Sequence, residues 1–462
     1  MSLHLTVLLV YSLGLLVLGL WLGRRVRQAG DFFVARRGLG PVLVFGTLLA
    51  ANIGAGSTVG ATGLGYRQGL SAWWWNGSAG LGSLLLALWI GPRIWREASR
   101  RGYFTVGDFL EDRYGPAVRA LVAALLWLGT LAILAGQMIG LAWILNVVAG
   151  LPKAWGCLLG GALVTTYFSA GGLLGAAWIN LVQLAVKLTG FLVALPIVLA
   201  QVGGMGALIG GSGLPDGHGS FWGPQSATLL ALLVPAFIVS PGLIQKAYGA
   251  RSERAVRIGI GANGLALLAF AIVPALLGMA ARVQHPALGN AELALPTLMV
   301  ENLPAWVGAL ALAAVFSAEI SAADAVLFML STSLSQDLYR RFLRPAAPDA
   351  AVLRVARVAA VAGGVLGVLL AIVTPTIIWS LTIFYSLLGV SLFVPVVAGL
   401  HRRRTAAPEA IASIAAGIAV ATALRLSGLT PAWPVSPELA GIAAAAVAYG
   451  AAVLLNRRGA QG

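Results

Sequence analysis

Three ionisable residues lie inside strongly apolar stretches of the chain. Glu319 and Asp324 occur in "AAVFSAEISAADAVLFML", and Lys187 occurs in "INLVQLAVKLTGFLVAL". An ionised side chain at the centre of a bilayer costs about 2.5–3.5 kcal/mol on insertion scales, so such residues usually pair, bind an ion or face a wet cavity. These residues therefore indicate an ion-binding or proton-binding site within a membrane.

The composition is typical of a polytopic membrane protein. Of the 462 residues, 59% are hydrophobic and only 10% are charged, and the mean hydropathy is +0.91. These values are far from those of a soluble multidomain protein. The single cysteine, Cys157, excludes an internal disulfide, and the four histidines lie at span ends or in loops, which disfavours a histidine metal site.

Apolar windows of about 19 residues predict thirteen transmembrane helices and an all-α fold. The spans cover roughly residues 4–23, 40–66, 69–94, 118–148, 154–171, 175–201, 226–246, 256–281, 306–334, 352–374, 376–400, 406–427 and 436–456.

The basic residues predict the orientation of these spans. With the N-terminus outside, cytoplasmic loops and ends hold 25 of the 30 basic residues. The positive-inside rule therefore predicts an N-out, C-in protein of the cell membrane, with its basic surplus facing anionic lipid. Nucleic-acid binding is not expected.

Two predicted spans contain residues that interrupt helices. Span 2 contains "AANIGAGSTVGATGLG", and span 7 contains "VPAFIVSPGLIQK", with Pro235 and Pro241. Glycine-dense runs and prolines disfavour an unbroken helix, and unpaired backbone at membrane depth must line a cavity or touch an ion. Ordinary kinks are the alternative. Two interruptions five spans apart predict an inverted repeat, with a binding site between them.

This pattern predicts a division of the chain into five parts. They are an N-terminal anchor helix and cytoplasmic loop (1–38), a first five-helix repeat (39–201), an extracellular loop (202–225), a second five-helix repeat (226–400), and two C-terminal helices with a short tail (401–462).

Several motifs give the chain a resemblance to a known family. They are "DFFVARRGLGPVLV", "AANIGAGSTVGATGLGYRQGL", "GGLLGAAWINLVQ", "LIQKAYGARSE", "SAEISAADAVLFMLSTSLSQDLY" and "SLLGVSLFVPVVAGLHRRR". In this order they resemble the sodium/solute symporters, which include bacterial proline, sugar, pantothenate and sialic-acid carriers and animal glucose, iodide and choline carriers. The resemblance implies a five-plus-five inverted repeat, preceded by one helix and followed by two.

The resemblance also implies a sodium site between predicted spans 2 and 9. Its carbonyl ligands correspond to Ala50 and Ile53, and its Ala-x-x-Ser-Ser or Ala-x-x-Ser-Thr run begins at Ala318 and includes Ser321. The chain departs from this pattern at Ala322, which lacks the second hydroxyl. Na⁺ is the expected coupling ion, and no organic cofactor is expected.

Span 6 departs from the family pattern as well. Asn180 stands where some members have an aspartate for an additional sodium, and Lys187 follows on the same helix face. We expect Lys187 and Glu319 to approach each other near the sodium site, where they take over part of the ion's electrostatic role or bind a coupled proton. Alternatively, the pair joins two helices, or Lys187 binds free carbonyls of span 2. Asp324 is a candidate for the inward exit path of the ion, or an aspartate bonded to neighbouring backbone.

Five residues are candidates for contact with the solute. By correspondence with sugar-carrying relatives these include Ser57, Asn76 and Ala236, and Gln137 and Tyr385 are further polar candidates. Alanine at position 236 replaces a gating tyrosine of the sugar carriers, which disfavours a sugar.

The sequence thus predicts a secondary active transporter that imports a small polar organic solute, such as an organic acid or amino acid, by alternating access. The alternative is a proton-coupled or Na⁺-independent carrier that uses Lys187 and Glu319 in place of a full sodium site. A transporter-like sensor or a channel is less favoured. An enzyme is not expected because no catalytic constellation or phosphate loop occurs, and no obligatory protein partner is indicated.

Overall fold

The computed structural model describes residues 2–23, 37–210, 214–427 and 436–459, and this part of the chain is built from helices joined by short loops. The α-helices in chain order are α1 (Leu3–Gly23), α2 (Pro41–Asn52), α3 (Ala61–Gln68), α4 (Trp73–Leu85), α5 (Gly91–Arg101), α6 (Val106–Tyr114), α7 (Pro116–Ala149), α8 (Lys153–Gln201), α9 (Gly204–Gly210), α10 (Ser226–Ile238), α11 (Pro241–Tyr248), α12 (Glu253–Phe270), α13 (Ile272–Gln284), α14 (Ala294–Thr297), α15 (Ala305–Thr332), α16 (Asp349–Val373), α17 (Ile377–His401), α18 (Ala407–Leu426) and α19 (Pro437–Gly459). The all-α fold predicted from the sequence is confirmed.

The first predicted interruption is a sharp break. Helix α2 ends at Asn52, and helical backbone resumes with a π-helical stretch at Gly56–Gly60. The two arms meet at an angle of 63°. Glycine is needed here for space as well as flexibility, because a Cβ on Gly54 would lie 2.3 Å from the Ala322 methyl group.

The second interruption is shorter. Helix α10 ends at Ile238 and α11 begins at Pro241, which stands at the first helical position, where its missing N–H costs nothing. Pro235 lies within α10, and α10 and α11 together make one membrane crossing, Ser226–Tyr248. Both predicted interruptions are therefore present, and the one in predicted span 2 is the more strongly bent.

The described residues contain nine helices that are long and apolar enough to cross a membrane, or ten if the bent pair Pro41–Asn52 and Gly56–Arg101 counts as one. Predicted spans 2 and 3 fall together in that pair, because the turn between them at Gly69 (φ 67°) joins two helical stretches directly. The number thirteen and the orientation of the spans remain predictions.

Predicted spans 5 and 6 form one stretch of helical backbone, α8, which corrects the loop expected at 172–174. A straight helix of its 49 residues would be about 74 Å long, more than twice the apolar thickness of a bilayer. However, Lys153 at its start donates to the carbonyl of Thr374, and Gln201 at its end donates to that of Asn302. Thr374 follows α16 and Asn302 precedes α15, so each end of α8 is bonded to a segment that adjoins one of these helices.

Helix α15 lies at the centre of the bundle. In the crossing Ala305–Leu343, 89% of the most apolar window is buried, against 28% in the crossing Pro437–Asn456 near the C-terminus. Glu319 and Asp324 therefore lie in the protein interior, where ionisable residues of a membrane helix usually serve a function.

Candidate functional site

Lys187 of α8 reaches the break that follows α2. Its Nζ atom donates hydrogen bonds to the carbonyl oxygens of Ala50 at 2.8 Å and Ile53 at 3.0 Å, and to Ser321 Oγ on α15 at 2.6 Å. A lysine ammonium has three N–H donors and no acceptor, so three oxygens match the charged form. The side chain is fully buried.

The four residues of the predicted ion site meet around this nitrogen. Ser321 Oγ, besides accepting from Lys187, lies 2.8 Å from the carbonyl oxygen of Ala50 and 3.1 Å from that of Ala318. The structure brings these residues together, and one of the alternatives from the sequence, that Lys187 binds carbonyls of span 2, is what it contains. Their role as an ion site remains a prediction.

These residues do not fit a sodium ion at this position. Three of the oxygens that would coordinate it lie within 3.0 Å of Lys187 Nζ. A second cation among them would meet the unscreened charge of the ammonium at short range. Ala322 adds a methyl group instead of a further oxygen. The ammonium thus takes the position that the resemblance implies for Na⁺.

Lys187 and Glu319 lie close enough for their charges to interact, as expected, but they form no direct ion pair in the described part of the chain. No distance of 4.0 Å or less joins the Lys187 nitrogen to a Glu319 oxygen in the described part of the chain. Glu319 Oε1 accepts a hydrogen bond from Thr58 Oγ1 at 2.8 Å, while Oε2 is buried without a hydrogen-bond partner among the described residues. Lys187 is thus bound by the carbonyls of Ala50 and Ile53, whereas Glu319 is bound by Thr58 of the π-helical stretch.

Asn180 and Asp324 are both buried near this cluster. The Oδ1 atom of Asn180 has no hydrogen-bond partner within the described ranges, and the amide makes no contact with the Lys187 oxygens. Asp324 is close enough to interact electrostatically with Lys187 and Tyr11. These two residues therefore surround the site without forming it.

A cavity of about 680 Å³ adjoins the site on the other side of the break. It lies between the break after α2, helices α10 and α11, and helices α7, α15 and α17. Gly54 and Ala322, the chain neighbours of Ile53 and Ser321, form part of its wall. The cation position and the cavity therefore share one turn of backbone.

Three of the five predicted solute contacts line this cavity, namely Ser57, Gln137 and Tyr385. The other two need correction. Asn76 is buried and donates to the carbonyl of Ser57 at 3.0 Å, so it supports the wall from behind. Ala236 is fully buried outside the lining, because the next residue, Phe237, faces the cavity at this turn of α10.

Sequence reasoning did not single out Lys246 as a site residue. The side chain lines the cavity, and its Nζ donates to the carbonyl of Thr47 at 2.8 Å. The available signal was its position five residues after Pro241, still within the short helix that follows the break.

The cavity leads toward the side of the bundle that bears the basic loops. A smaller cavity of about 410 Å³ shares Met329 and Phe384 with it and extends to Asp337. On the opposite side, Glu292 closes the bundle by accepting hydrogen bonds from Trp143 Nε1 at 2.9 Å and the backbone of Ile377 at 2.7 Å. The segment around it was expected as a surface helix, but it is largely buried.

Beside the smaller cavity, Arg119 of α7 lies in a cluster of acids. It makes ion pairs of 2.8 Å with Asp108, Glu111 and Asp337. Burial raises the pKa of Glu111, but hydrogen bonds from Arg341 and Arg119 outweigh it and hold the pKa below its ordinary value of 4.5. The cluster joins α6, α7 and the end of the α15 crossing.

Comparison with known proteins supports the resemblance seen in the sequence. A family model described as the sodium:solute symporter family matches residues 32–417. The sodium/pantothenate symporter of Escherichia coli (strain K12) is 30% identical over 434 residues, which cover 85% of this chain and 84% of the relative. The high-affinity choline transporter 1 of Caenorhabditis elegans is 22% identical over 449 residues, covering 90% and 76%.

The fold also matches a solved structure. A Na⁺-coupled sialic acid symporter in a substrate-bound, outward-open state superposes with a TM-score of 0.80 over 98% of both chains, at 19% identity. At this identity the match supports the fold and leaves the ligands to the residues of the chain itself.

Proposed function

Since the chain belongs to the sodium:solute symporter family, we propose that it carries a small polar organic solute across the cell membrane by alternating access, with Lys187 in place of Na⁺ at this site and a proton as the coupling ion. The observation that supports this is the binding of Lys187 Nζ by the carbonyls of Ala50 and Ile53 and by Ser321 Oγ.

In this proposal the proton state of Lys187 controls a contact between two parts of the bundle. The ammonium joins the broken segment after α2 to α15 through three hydrogen bonds. On losing a proton, the amine retains only two N–H donors, so one acceptor is released. The released contact permits the two parts to move relative to each other, as alternating access requires.

The charged groups around Lys187 suit a group that exchanges protons. Glu319 and Asp324 act on it electrostatically from α15, and Lys246 acts on it with the opposite sign from α11. The hydrogen bonds of Lys187 Nζ go to two carbonyls and a hydroxyl, so neutral groups hold the ammonium. The released proton has a short route to the cavity wall at Gly54 and Ala322.

The test is uptake into proteoliposomes of labelled solutes, including pantothenate, choline and short organic acids. We expect a pH gradient with the basic interior to drive uptake equally well when N-methyl-D-glucamine replaces Na⁺. Lys187→Met should reduce this uptake at least tenfold and abolish its pH dependence, because methionine fills the space without a proton to exchange.

The matched control is Lys153→Met, since Lys153 also donates to a backbone carbonyl but lies far from the cavity. It should transport like the wild type. Uptake that strictly requires Na⁺ and does not change between pH 5.5 and 8 would contradict the proposal, and would favour a sodium ion bound elsewhere in the chain.

A further inference from the structure

Resting on the proposed function, we infer that the solute is an organic carboxylate with an apolar body and without an amino group, and that Lys246 is the residue that binds its carboxylate. This identifies a chemical class of substrate and a specificity-determining residue in the cavity beside the Lys187 site.

The cavity wall contains one cation and no acid. Lys246 is the charged residue of the described lining, which includes no aspartate or glutamate. No ion pair joins Lys246 to an acid in the described ranges, and its contact with the carbonyl of Thr47 uses one of its three donors. Two N–H donors of the ammonium form therefore remain for a ligand. An anion can accept from both and favours the charged form of the lysine, whereas a cation would be repelled.

Gln137 supplies a second donor at the same cavity. It is only 3% exposed, and its Oε1 accepts from the backbone N–H of Ala55 at 2.9 Å. This bond fixes the orientation of the amide group of Gln137. Its nitrogen makes no hydrogen bond within the described residues and is therefore available as a donor. A carboxylate has two oxygens, and both Lys246 and Gln137 offer donors to them.

The remainder of the wall is mostly apolar and aromatic. Its other polar residues are Asn52, Ser57 and Ser240. Of these, Ser57 donates to the carbonyl of Asn52 at 2.6 Å and Asn52 donates to Asn263 at 3.1 Å, so both already have partners within the protein. Phe237 and Tyr385 pack against each other with ring centroids 5.4 Å apart, and Phe384 adjoins Tyr385 at 5.2 Å. Such surfaces bind hydrocarbon or aromatic groups and offer few partners to hydroxyls. A sugar is therefore disfavoured at this cavity.

The same wall disfavours amino acids. A zwitterion brings an ammonium group, and the described lining offers no acid to compensate its charge. The ammonium would also lie in the same cavity as Lys246, which has the same charge. A carboxylate without an amino group leaves no such unpaired charge.

A purely structural role for Lys246 makes a different prediction. If Lys246 only joins α11 to α2 through Thr47, its removal should lower stability without changing which solutes bind. Comparing acids with their uncharged amides on the wild-type protein separates these roles, because that comparison needs no mutation.

The experiment measures ligand-induced changes in melting temperature of the purified full-length protein in detergent, without any ion gradient. The probes are acetate, butyrate, benzoate and pantothenate, each beside its amide, with proline and galactose as further probes. We expect at least one carboxylate to bind, and its amide to need at least a tenfold higher concentration for the same shift. Lys246→Met should weaken carboxylate binding about 10- to 100-fold, the range for a hydrogen bond to a charged group, and Lys246→Arg should restore part of it.

Lys153→Met again serves as the control and should bind like the wild type. Equal binding of acid and amide, binding of proline or galactose alone, or failure of every carboxylate would overturn the inference. So would unchanged affinity in a monodisperse Lys246→Met protein. Because the assay involves no gradient, these outcomes are independent of which ion drives transport, so failure here is distinguishable from failure of the proposed coupling.

Discussion

Lys187 and Arg119 are two buried cations that the fold holds in opposite ways. Arg119 is 6% exposed and faces three carboxylates at 2.8 Å, from Asp108, Glu111 and Asp337. Lys187 is fully buried and is bound by two neutral carbonyls and a hydroxyl. The charge of Arg119 is thus compensated by carboxylates, and the charge of Lys187 is compensated by neutral dipoles.

The difference separates a structural charge from an exchangeable one. Guanidinium does not lose its proton in proteins, and ion pairs on three sides fix it further. An amine held by dipoles can exchange its proton without leaving an acid behind unpaired. Arg119, near the basic side of the bundle, therefore suits a structural link between helices. Lys187, at the centre, suits ion coupling.

The largest effect on stability should come from removing the charge of Arg119. Arg119→Met leaves three acids facing one another and should lower the free energy of unfolding by about 3–5 kcal/mol, the usual cost of breaking a buried ion pair from one side. Thermal unfolding in detergent measures it. Lys187→Met should lose clearly less stability while losing transport, and equal losses of stability in the two variants would contradict the comparison.

A smaller effect should follow from replacing the ammonium of Lys187 by a sodium ion. Lys187→Ala combined with Ala322→Ser frees the oxygens of Ala50 and Ile53 and supplies the missing hydroxyl of the family run. We expect Na⁺ to stabilise this double variant by about 1–3 kcal/mol at saturating concentration, as binding linkage requires. The check is the melting temperature in NaCl against choline chloride. The wild type is the control and should show no difference, and a double variant that also shows none would argue against the substitution of Na⁺ by Lys187.

The smallest effect concerns the edge of the Arg119 cluster. Because the pKa of Glu111 lies below 4.5, its ion pairs stabilise the fold above that pH and are lost as the pH falls through the lowered value. Glu111→Gln should therefore differ from the wild type by less than about 1 kcal/mol at pH 7, since the pairs are partly exposed. The difference in melting temperature should shrink below pH 4.5, whereas a pH-independent difference would show that the charge of Glu111 contributes nothing.

The sequence allowed the prediction of the interrupted helices and the ion-site residues because both depend on local chemistry. Glycines and prolines mark the breaks after Asn52 and Ile238, and Ala318 and Ser321 belong to a short run with fixed spacing on one helix. Depth along a helix also predicted that Lys187 lies level with Glu319, and the two residues are close enough to interact electrostatically.

What the sequence did not determine was the direction of side chains at that level. Attraction between opposite charges favoured a contact between Lys187 and Glu319, but open carbonyls after α2 were closer partners for the amine. In the same way, Phe237 and not Ala236 faces the cavity, because the rotation of α10 next to a proline cannot be obtained from spacing alone.

The shared turn after α2 has a thermodynamic consequence. Ala50 and Ile53 bind Lys187, while Ala51, Asn52 and Gly54 line the cavity. A solute whose affinity depends on the proton occupancy of the lysine must change the lysine's affinity for protons by the same factor. In the proposed mechanism the binding of solute and of proton would then be coupled through five consecutive residues, 50–54, and substitutions in this segment are the place to look for altered coupling.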